Sequence, residues 1–496
     1  MNTQNLAERV LALADETAAS PLGTTRREEL DAVREALREP LRVAVVGRVK
    51  AGKSTLVNAL LGQRVAPTDV GECTRVVTWF RYGHPERVEV LLKDGGRRDV
   101  QLEQDGMLPA TLGIDPGMVR SLQVWLSNST LRGMTLIDTP GLGSLNQEVS
   151  AATEEFLALD QASAEAAGSA QALAFVLNET IRADEVDVLR RFRSSAGEVS
   201  TSAVNAVGVL TKADKVGGGG AEAWNAATVL AGRMAERLRN EVSAVVPVIG
   251  LIGETVEAAL LTESDAAHLA ALAGLEAATR TRLLISPDRF LEVEVPVPRQ
   301  ARERLLTLLD LYGVERALEL LDRGLHGADA LRTELRRRSG IEALRATLVD
   351  AFRRRDDALR ARWGLGSLFA LSFARSRDGD AAALGHLRDS VEAMRMDPAM
   401  HAVAELEALH ACCSGEVTLP EELLEELRRI AGNPDLHVRL GDGEADQLAR
   451  LAAQGAARWR RFRFSGATPR QGQVAQVMVR SYELAWEELS AGAAAE

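Results

Sequence analysis

Apolar residues follow two different periods along the chain, and the change between them marks its organisation. Residues 1–40 show helical spacing in two segments, separated by a Pro-Leu-Gly break at residues 21–23. Apolar positions three and four residues apart are typical of helices that bury one side against a core. The pattern therefore predicts two amphipathic helices at the N-terminus.

Short apolar runs dominate the next region. Residues 41–46 form a β-branched run that ends at a glycine, which indicates a buried strand. Similar runs predict strands near 75–82, 87–92, 122–126, 134–138, 172–177, 205–210 and 245–250. Helical patterns separate several of them, at 53–61, 148–166, 183–195 and 221–240. Such alternation predicts an α/β fold with a mostly parallel sheet and helices on both faces. The runs at 87–92 and 122–126 lack intervening helices and are candidates for antiparallel strands at an edge.

Strand signals nearly vanish after about residue 254. Alanine, leucine, arginine and glutamate then recur at helical spacing, which predicts a series of long helices. We expect N-terminal neck helices at 1–40, an α/β head at 41–290 and an all-α neck and trunk bundle at 291–496.

The composition is that of a soluble globular protein, with 46% hydrophobic and 26% charged residues. The net charge of -12 argues against nucleic acid as a partner held by bulk electrostatics. Two of the three cysteines, Cys412 and Cys413, are adjacent, so a disulfide scaffold is not expected. The N-terminus lacks a signal-peptide pattern, and no run of about 18 apolar residues exists. A cytoplasmic location, or a peripheral one on the inner face of the cell membrane, is expected.

A glycine-rich loop directly follows the first predicted strand and opens a predicted helix. The pattern Gly-xxxx-Gly-Lys-Ser spans Gly47 to Ser54, and in this context it predicts a phosphate-binding P-loop. The glycines let backbone N–H groups approach the phosphates. Lys53 is expected to reach the β- and γ-phosphates, and Ser54 to ligate Mg²⁺. The nucleotide-contacting residues predicted here are Gly47, Lys50, Ala51, Gly52, Lys53, Ser54 and Thr55.

Two further segments complete the predicted phosphate and metal site. Asp138 ends a predicted strand in the sequence Asp-Thr-Pro-Gly, so it is placed to hold Mg²⁺ through water, and Gly141 to offer its N–H to the γ-phosphate. A threonine in the segment 67–75 must close over the metal. We favour Thr74, which precedes a strand, and Thr68 is the alternative.

The base is predicted by the sequence Thr211-Lys212-Ala-Asp214, which follows another strand. A carboxylate at Asp214 accepts two hydrogen bonds from the N1–H and 2-amino groups of guanine. Adenine lacks that donor pair and would leave the carboxylate unpaired. Lys212 is expected to lie along the base and brace the P-loop. These residues predict GTP and GDP as ligands.

The means of positioning the attacking water stays open. Leu142 stands where Ras-type enzymes use a glutamine, so backbone groups or another switch residue must orient the water. Lys50 is a candidate for stabilising transition-state charge, as an arginine finger does, and Arg48 is a weaker one. A solvated loop lysine is the plain alternative for Lys50.

Five motifs resemble the bacterial dynamin-like proteins, and most closely the isoniazid-inducible type of actinobacteria. They are GRVKAGKSTLVNALLG at 47–62, APTDVGECTRVVTWFRYG at 66–83, DTPGLGS at 138–144, LTKAD at 210–214 and RSGIEALRATLVDAFRRRDDALRA at 338–361. The resemblance implies a dynamin-type GTPase head and a helical bundle to which the 470–490 helix returns to pair with residues 1–40.

The same resemblance implies a cellular role. GTP would drive the heads to form a homodimer that hydrolyses GTP, coupled to remodelling, fusion, fission or repair of the cytoplasmic membrane. An anionic membrane surface and a paralogous dynamin-like protein would be partners. Eukaryotic dynamins carry glutamine and serine at the positions of Val49 and Lys50, whereas Lys50 is similar in place to the internal arginine finger of guanylate-binding proteins.

Two other functions stay open: a GTP-gated cytosolic switch or scaffold, and the non-catalytic half of a dynamin-like pair. Three segments also have more than one interpretation. Residues 363–374 are either a membrane-dipping tip or, as we favour, a buried helix. Residues 458–464 interleave arginines and aromatics, which suits anionic lipid or single-stranded nucleic acid, but we favour a helix with its aromatics inward. A zinc site at 410–413 is disfavoured because no second ligand pair is near.

Overall fold

The computed structural model describes residues 5–67, 76–140 except 104 and 110, 169–180, 205–373, 380–413 and 415–493. Its centre is a nine-stranded sheet in the order β4-β3-β5-β2-β6-β1-β7-β8-β9. The strands are β1 Leu41–Gly47, β2 Thr78–Tyr82, β3 Arg87–Leu92, β4 Arg97–Val100, β5 Val119–Leu126, β6 Met134–Asp138, β7 Ala172–Leu177, β8 Ala206–Leu210 and β9 Val245–Pro247. The predicted helices at 148–166 and 183–195 lie outside the described residues.

The strand directions confirm a mostly parallel sheet with an antiparallel edge. From β6 through β9 all neighbours are parallel, whereas β2 runs antiparallel to β6, and β3 runs antiparallel to both β4 and β5. The sequence did not predict β4. Three of its four residues are exposed and charged, so it lacks the apolar alternation that identifies a strand.

Helices account for most of the remaining described chain. The head carries α3 Lys53–Leu61, α4 Ala223–Arg237, α5 Gly250–Glu257, α6 Glu263–Ala273, α7 Ala277–Leu283, α8 Pro287–Glu292, α9 Arg299–Asp322, α10 Ala328–Ser339 and α11 Ile341–Ala351. The neck and trunk contain α1 Leu6–Ala18, α2 Thr24–Arg38, α12 Asp356–Ser372, α13 Ala381–Met396, α14 His401–Cys413, α15 Glu421–Ile430, α16 Leu436–Leu440, α17 Ala445–Phe464 and α18 Pro469–Ala493. The α/β head and all-α bundle confirm the predicted fold class.

Packing around the sheet continues past residue 290, where the head was predicted to end. Helices α9 and α10 share one buried core with the strands β7 and β8, and α11 joins the core on the other side of the sheet. That second core runs on into trunk helices, with Leu406 of α14 and Trp459 of α17 among its members, so shared burial does not divide head from trunk. The 41–290 boundary stays a prediction.

The neck forms where α12 meets the two N-terminal helices. Asp357 accepts hydrogen bonds from the backbone N–H groups of Leu6 (2.7 Å) and Ala7 (2.9 Å), at the start of α1. Arg360 donates to the carbonyls of Leu37 (3.0 Å) and Glu39 (2.9 Å), at the end of α2. One turn of α12 thus holds one end of each N-terminal helix.

The last helix does not return to residues 1–40 as expected. Helix α18 packs along α17 and also against α14, whereas α1 and α2 pack against α12. The side chain of Tyr482 in α18 lies so close to Gly455 in α17 that a Cβ there would be 2.4 Å from the ring. The short connection between the two helices makes them antiparallel neighbours.

The structure decides between the interpretations of two segments. Residues 363–372 lie within α12, where Leu365 and Leu368 are fully buried, so the buried-helix interpretation is confirmed. In the 458–464 segment Trp459 is buried and its Nε1 donates to Glu426 at 2.9 Å, while Arg460 pairs with Glu483. The helix and the inward position of Trp459 agree with the favoured interpretation, whereas Phe464 is exposed. Among the described helices, none is both long and apolar enough to cross a bilayer.

Candidate guanine-nucleotide site

The phosphate-binding loop leaves the central strand of the sheet. All seven residues of β1 are buried between β6 and β7. A side chain at Gly47 would place its Cβ 2.8 Å from the carbonyl oxygen of Val176, and Gly52 has a left-handed φ of 92°. Both positions therefore require glycine, one because a neighbouring strand is close and one because the backbone turns into α3.

The side chain of Lys53, the first residue of α3, folds back onto the phosphate-binding loop that precedes it. Its Nζ donates to the carbonyl oxygen of Arg48 at 2.9 Å, and only 7% of the residue is exposed. Burial lowers the pKa of Lys53, while the nearby Asp138 carboxylate acts in the opposite direction. An ammonium held across the loop by a single carbonyl is well placed to exchange that contact for phosphate oxygens.

Ser54 and Asp138 meet beside the loop. The Ser54 hydroxyl donates to Asp138 Oδ2 at 2.8 Å, whereas the buried Oδ1 has no hydrogen-bond partner in the described part of the chain. Burial raises the pKa of Asp138, opposed by Lys53 and by the Ser54 hydrogen bond. A hydroxyl and a carboxylate with a spare oxygen are hard ligands, which fits the predicted Mg²⁺.

The segment after β8, residues 211–214, is called the base segment here, and it braces the same loop from the other side. Thr211 donates its hydroxyl to the carbonyl oxygen of Ala51 at 2.6 Å, and Lys212 Nζ donates to that of Lys50 at 2.8 Å. Lys212 achieves this from a left-handed φ of 54°. The bracing role predicted for Lys212 is therefore present in the geometry, and it fixes the distance between the phosphate loop and the base segment.

Asp214 lies one turn further on, in a 3₁₀ turn over Ala213–Gly218. It is half-buried, and burial raises the pKa of its carboxyl group. The backbone N–H of Ala213 donates to the carbonyl of Val248 at 3.3 Å, which brings the loop after β9 against the base segment. This contact is made by backbone groups, so it leaves no side-chain signature in residues 247–250.

Several predicted residues cannot be placed. Thr74, the alternative Thr68, Gly141 and Leu142 lie outside the described residues. Lys50 is described: it has a left-handed φ of 61° and an exposed side chain. Its carbonyl is held by Lys212, while its ammonium group extends from the loop.

Lysine is concentrated at this site. The chain has 59 lysines and arginines, of which only five are lysines. Four of the five surround the loop and base segment: Lys50, Lys53, Lys212 and Lys215, with Lys93 the exception. Elsewhere the chain uses arginine for positive charge. Lysine, a compact point charge on a flexible stem, is thus found mainly at the predicted phosphate and base contacts.

The phosphate loop on the central strand, the Ser54–Asp138 pair and the braced base segment define the class of P-loop GTPases. Comparison with known proteins narrows the class. A model of the dynamin family matches residues 43–212. The chain is 34% identical over 442 residues to isoniazid-induced protein IniC of Mycobacterium tuberculosis, a match that covers 87% of each chain.

Two more matches are shorter or weaker. The bacterial dynamin-like protein of Nostoc punctiforme is 34% identical over 117 residues, which covers 20% of this chain and 16% of that protein. A solved structure of an oligomerised bacterial dynamin pair superposes with a TM-score of 0.35 at 12% identity, covering 99% of this chain and 91% of that one. On the extent of the IniC match, the chain belongs to the dynamin family, is similar to the IniC type within it, and is a GTPase.

Proposed function

We propose that this GTPase couples Mg²⁺-dependent hydrolysis of GTP to pairing of its heads and to remodelling or repair of the cytoplasmic membrane. The observation that carries the proposal is the contact of Ser54 with Asp138 beside a buried Lys53. That arrangement, joined to a separate helical neck and trunk, is what a mechanochemical GTPase needs.

Each site residue has a proposed role. Ser54 and, through water, Asp138 hold Mg²⁺, which neutralises phosphate charge when it is bound. Lys53 exchanges the carbonyl of Arg48 for the β- and γ-phosphates. Gly47, Ala51, Gly52 and Thr55 line the phosphates, and Thr211, Lys212 and Asp214 hold the guanine base. Thr74 closes over the metal and Gly141 contacts the γ-phosphate.

Lys50 is proposed to complete the site when two heads meet. Its side chain is exposed and its backbone is fixed by Lys212, so the ammonium is free to turn toward the phosphates or toward a second head. A cation delivered to the γ-phosphate stabilises charge that develops in the transition state. Hydrolysis would then rise with dimerisation.

The neck supplies a route from head to trunk. Residues Asp357 and Arg360 hold the ends of α1 and α2, and α2 leads into β1 after only two residues. A change at the phosphate loop is therefore transmitted along β1 to a helical bundle. The family resemblance supports the membrane as the object of that movement, and a paralogous dynamin-like protein as a partner.

The test is GTP turnover per molecule as a function of protein concentration, with and without vesicles containing anionic lipid. We expect turnover to rise with concentration, and to rise again with vesicles. Lys53→Ala should abolish turnover. Lys50→Ala should still bind GTP but lose the rise with concentration. Lys93→Ala, an exposed lysine outside the site, is the matched control and should behave as the wild type.

The outcomes separate the parts of the proposal. Flat turnover per molecule across concentrations contradicts activation by dimerisation, and a rise that survives Lys50→Ala removes the role given to Lys50. Vesicles that neither bind the protein nor change its turnover contradict the membrane role. In that case a GTP-gated cytosolic switch, or one half of a hetero-pair, describes the protein better.

A further inference from the structure

Helix α9 is interrupted where it passes the base segment. Asp310 has φ 53° and ψ 178°, a conformation that glycine favours and that strains other residues. Its carboxylate makes two contacts: Oδ1 accepts the backbone N–H of Leu311 at 2.7 Å, and Oδ2 pairs with Lys215 Nζ at 3.1 Å. Strain of this kind persists only where the surrounding structure enforces it, and it is often found at functional sites.

The ion pair stands next to the residue proposed to recognise guanine. Lys215 follows Asp214 by one position in the same 3₁₀ turn. The two carboxylates interact electrostatically: beside the larger effect of burial, the negative charge of Asp310 also raises the pKa of Asp214. The ammonium of Lys215 is subject to both, and its hydrogen bond to Asp310 is the largest cause of its raised pKa. Lys215 is thus near two carboxylates, those of Asp214 and Asp310, and it forms its ion pair with Asp310.

We propose that Asp310 is a positioning residue for guanine specificity: it holds Lys215 in an ion pair and so leaves the Asp214 carboxylate available to the N1–H and 2-amino groups of the base. The inference rests on the proposed role of Asp214. It adds a residue almost a hundred positions away to the base site, and it assigns a purpose to the break in α9.

Lys215 and guanine compete for the carboxylate of Asp214. Without the charge of Asp310, Asp214 is the other acid that attracts Lys215. An Asp214–Lys215 pair would have to break before guanine could bind, and GDP would lose the contact to its 2-amino group as well as that to N1–H. Inosine diphosphate has no 2-amino group, so it would lose less. Removal of the Asp310 charge should therefore weaken GDP binding and narrow the preference for GDP over inosine diphosphate.

The experiment compares dissociation constants of GDP and inosine diphosphate across variants of the full chain. Asp310→Asn keeps the side-chain shape and removes only the charge. Asp310→Gly removes the carboxylate and also relieves the backbone, so it separates charge from strain. Both should weaken GDP binding on the order of tenfold, roughly the cost of a displaced hydrogen bond to a charged group. Asp322 is on the same helix as Asp310 and pairs with Arg280 of α7, so Asp322→Asn removes a different ion pair and should change neither constant.

Rescue distinguishes positioning from general damage. Lys215→Met removes the competitor, so the double variant Asp310→Asn with Lys215→Met should regain GDP affinity to within about threefold of the wild type. A double variant as weak as Asp310→Asn, or an unchanged preference for GDP in the single variants, overturns the inference. Asp214→Asn tests the underlying proposal separately. If it leaves the preference for GDP intact, the assignment of the base site fails, whatever the Asp310 variants do.

Discussion

A buried asparagine ties the P-loop helix to the segment that leads toward Thr68 and Thr74. Asn58 in α3 is fully buried. Its Nδ2 donates to the carbonyl of Ala66 and to Glu254 Oε1, both at 2.9 Å. Its Oδ1 accepts the backbone N–H groups of Val65 at 3.1 Å and Ala66 at 2.8 Å. Truncation to alanine removes all four hydrogen bonds at once.

The cost of Asn58→Ala follows from the groups left behind. Three backbone groups of residues 65 and 66 lose their partner, and Glu254, whose pKa burial already raises, loses one of the donors that offset its burial. Each buried group left unpaired costs about 1 kcal/mol or more. We therefore expect the free energy of opening the 63–67 loop to fall by about 3 kcal/mol. That corresponds to an increase in the opening equilibrium on the order of 100-fold.

Hydrogen exchange measured by mass spectrometry gives the opening directly, in the peptide that contains residues 65 and 66. Exchange should accelerate on the order of 100-fold in Asn58→Ala, and GTP turnover at saturating substrate should fall. Asn225→Ala is the control, because Asn225 is exposed on α4 and makes one hydrogen bond, to Glu222. An ordinary surface substitution changes stability by about 0.5 kcal/mol or less, which corresponds to an acceleration below about threefold. An acceleration of that size in Asn58→Ala would refute the conclusion that this side chain holds the loop.

Three other perturbations are informative. Burial raises the pKa of Asp214, whose ionised form is the one proposed to bind guanine. GDP affinity should therefore be full above that pKa and fall as pH drops through it, at a higher pH than for an ordinary aspartate. Titration of GDP binding from pH 8 downward checks this, and a constant affinity opposes it. Lys53→Arg should lose turnover by about 100-fold or more, because a planar guanidinium does not fit the buried point-charge position, while Lys93→Arg should remain active. Gly364→Val should lower the thermal midpoint by costing about 1–3 kcal/mol, since a Cβ there would lie 2.9 Å from Val10, yet leave GTP binding unchanged.

The sequence predicted the head well because its signals are local. Strand, glycine loop and helix follow one another between residues 41 and 61, and the predicted helix at 53–61 has the observed bounds. The placement of Lys212 against the P-loop also followed from its motif. These features depend on a few neighbouring residues whose chemistry leaves few alternatives.

Features set by packing were not predictable in the same way. The break at Asp310 has no proline or glycine at that position to announce it, and the residue with which Asp310 pairs, Lys215, is far away in sequence. The partner of α18 depends on which amphipathic faces meet. Helix α18 packs on α17 where Tyr482 lies against Gly455, and a single glycine in a helix does not reveal which ring will cover it.

The concentration of lysine at the nucleotide site gives the protein an unusual chemical selectivity. Acylating or reductively methylating reagents modify primary amines and leave guanidinium groups intact, so most of the side chains they can modify in this chain belong to one site. Bound nucleotide should shield Lys53 from such reagents, whereas exposed Lys93 provides an internal reference. Amine labelling would therefore report occupancy of the site without any engineered probe. Because four of the five lysines lie there, lysine acylation of this chain would fall mainly on the GTPase centre.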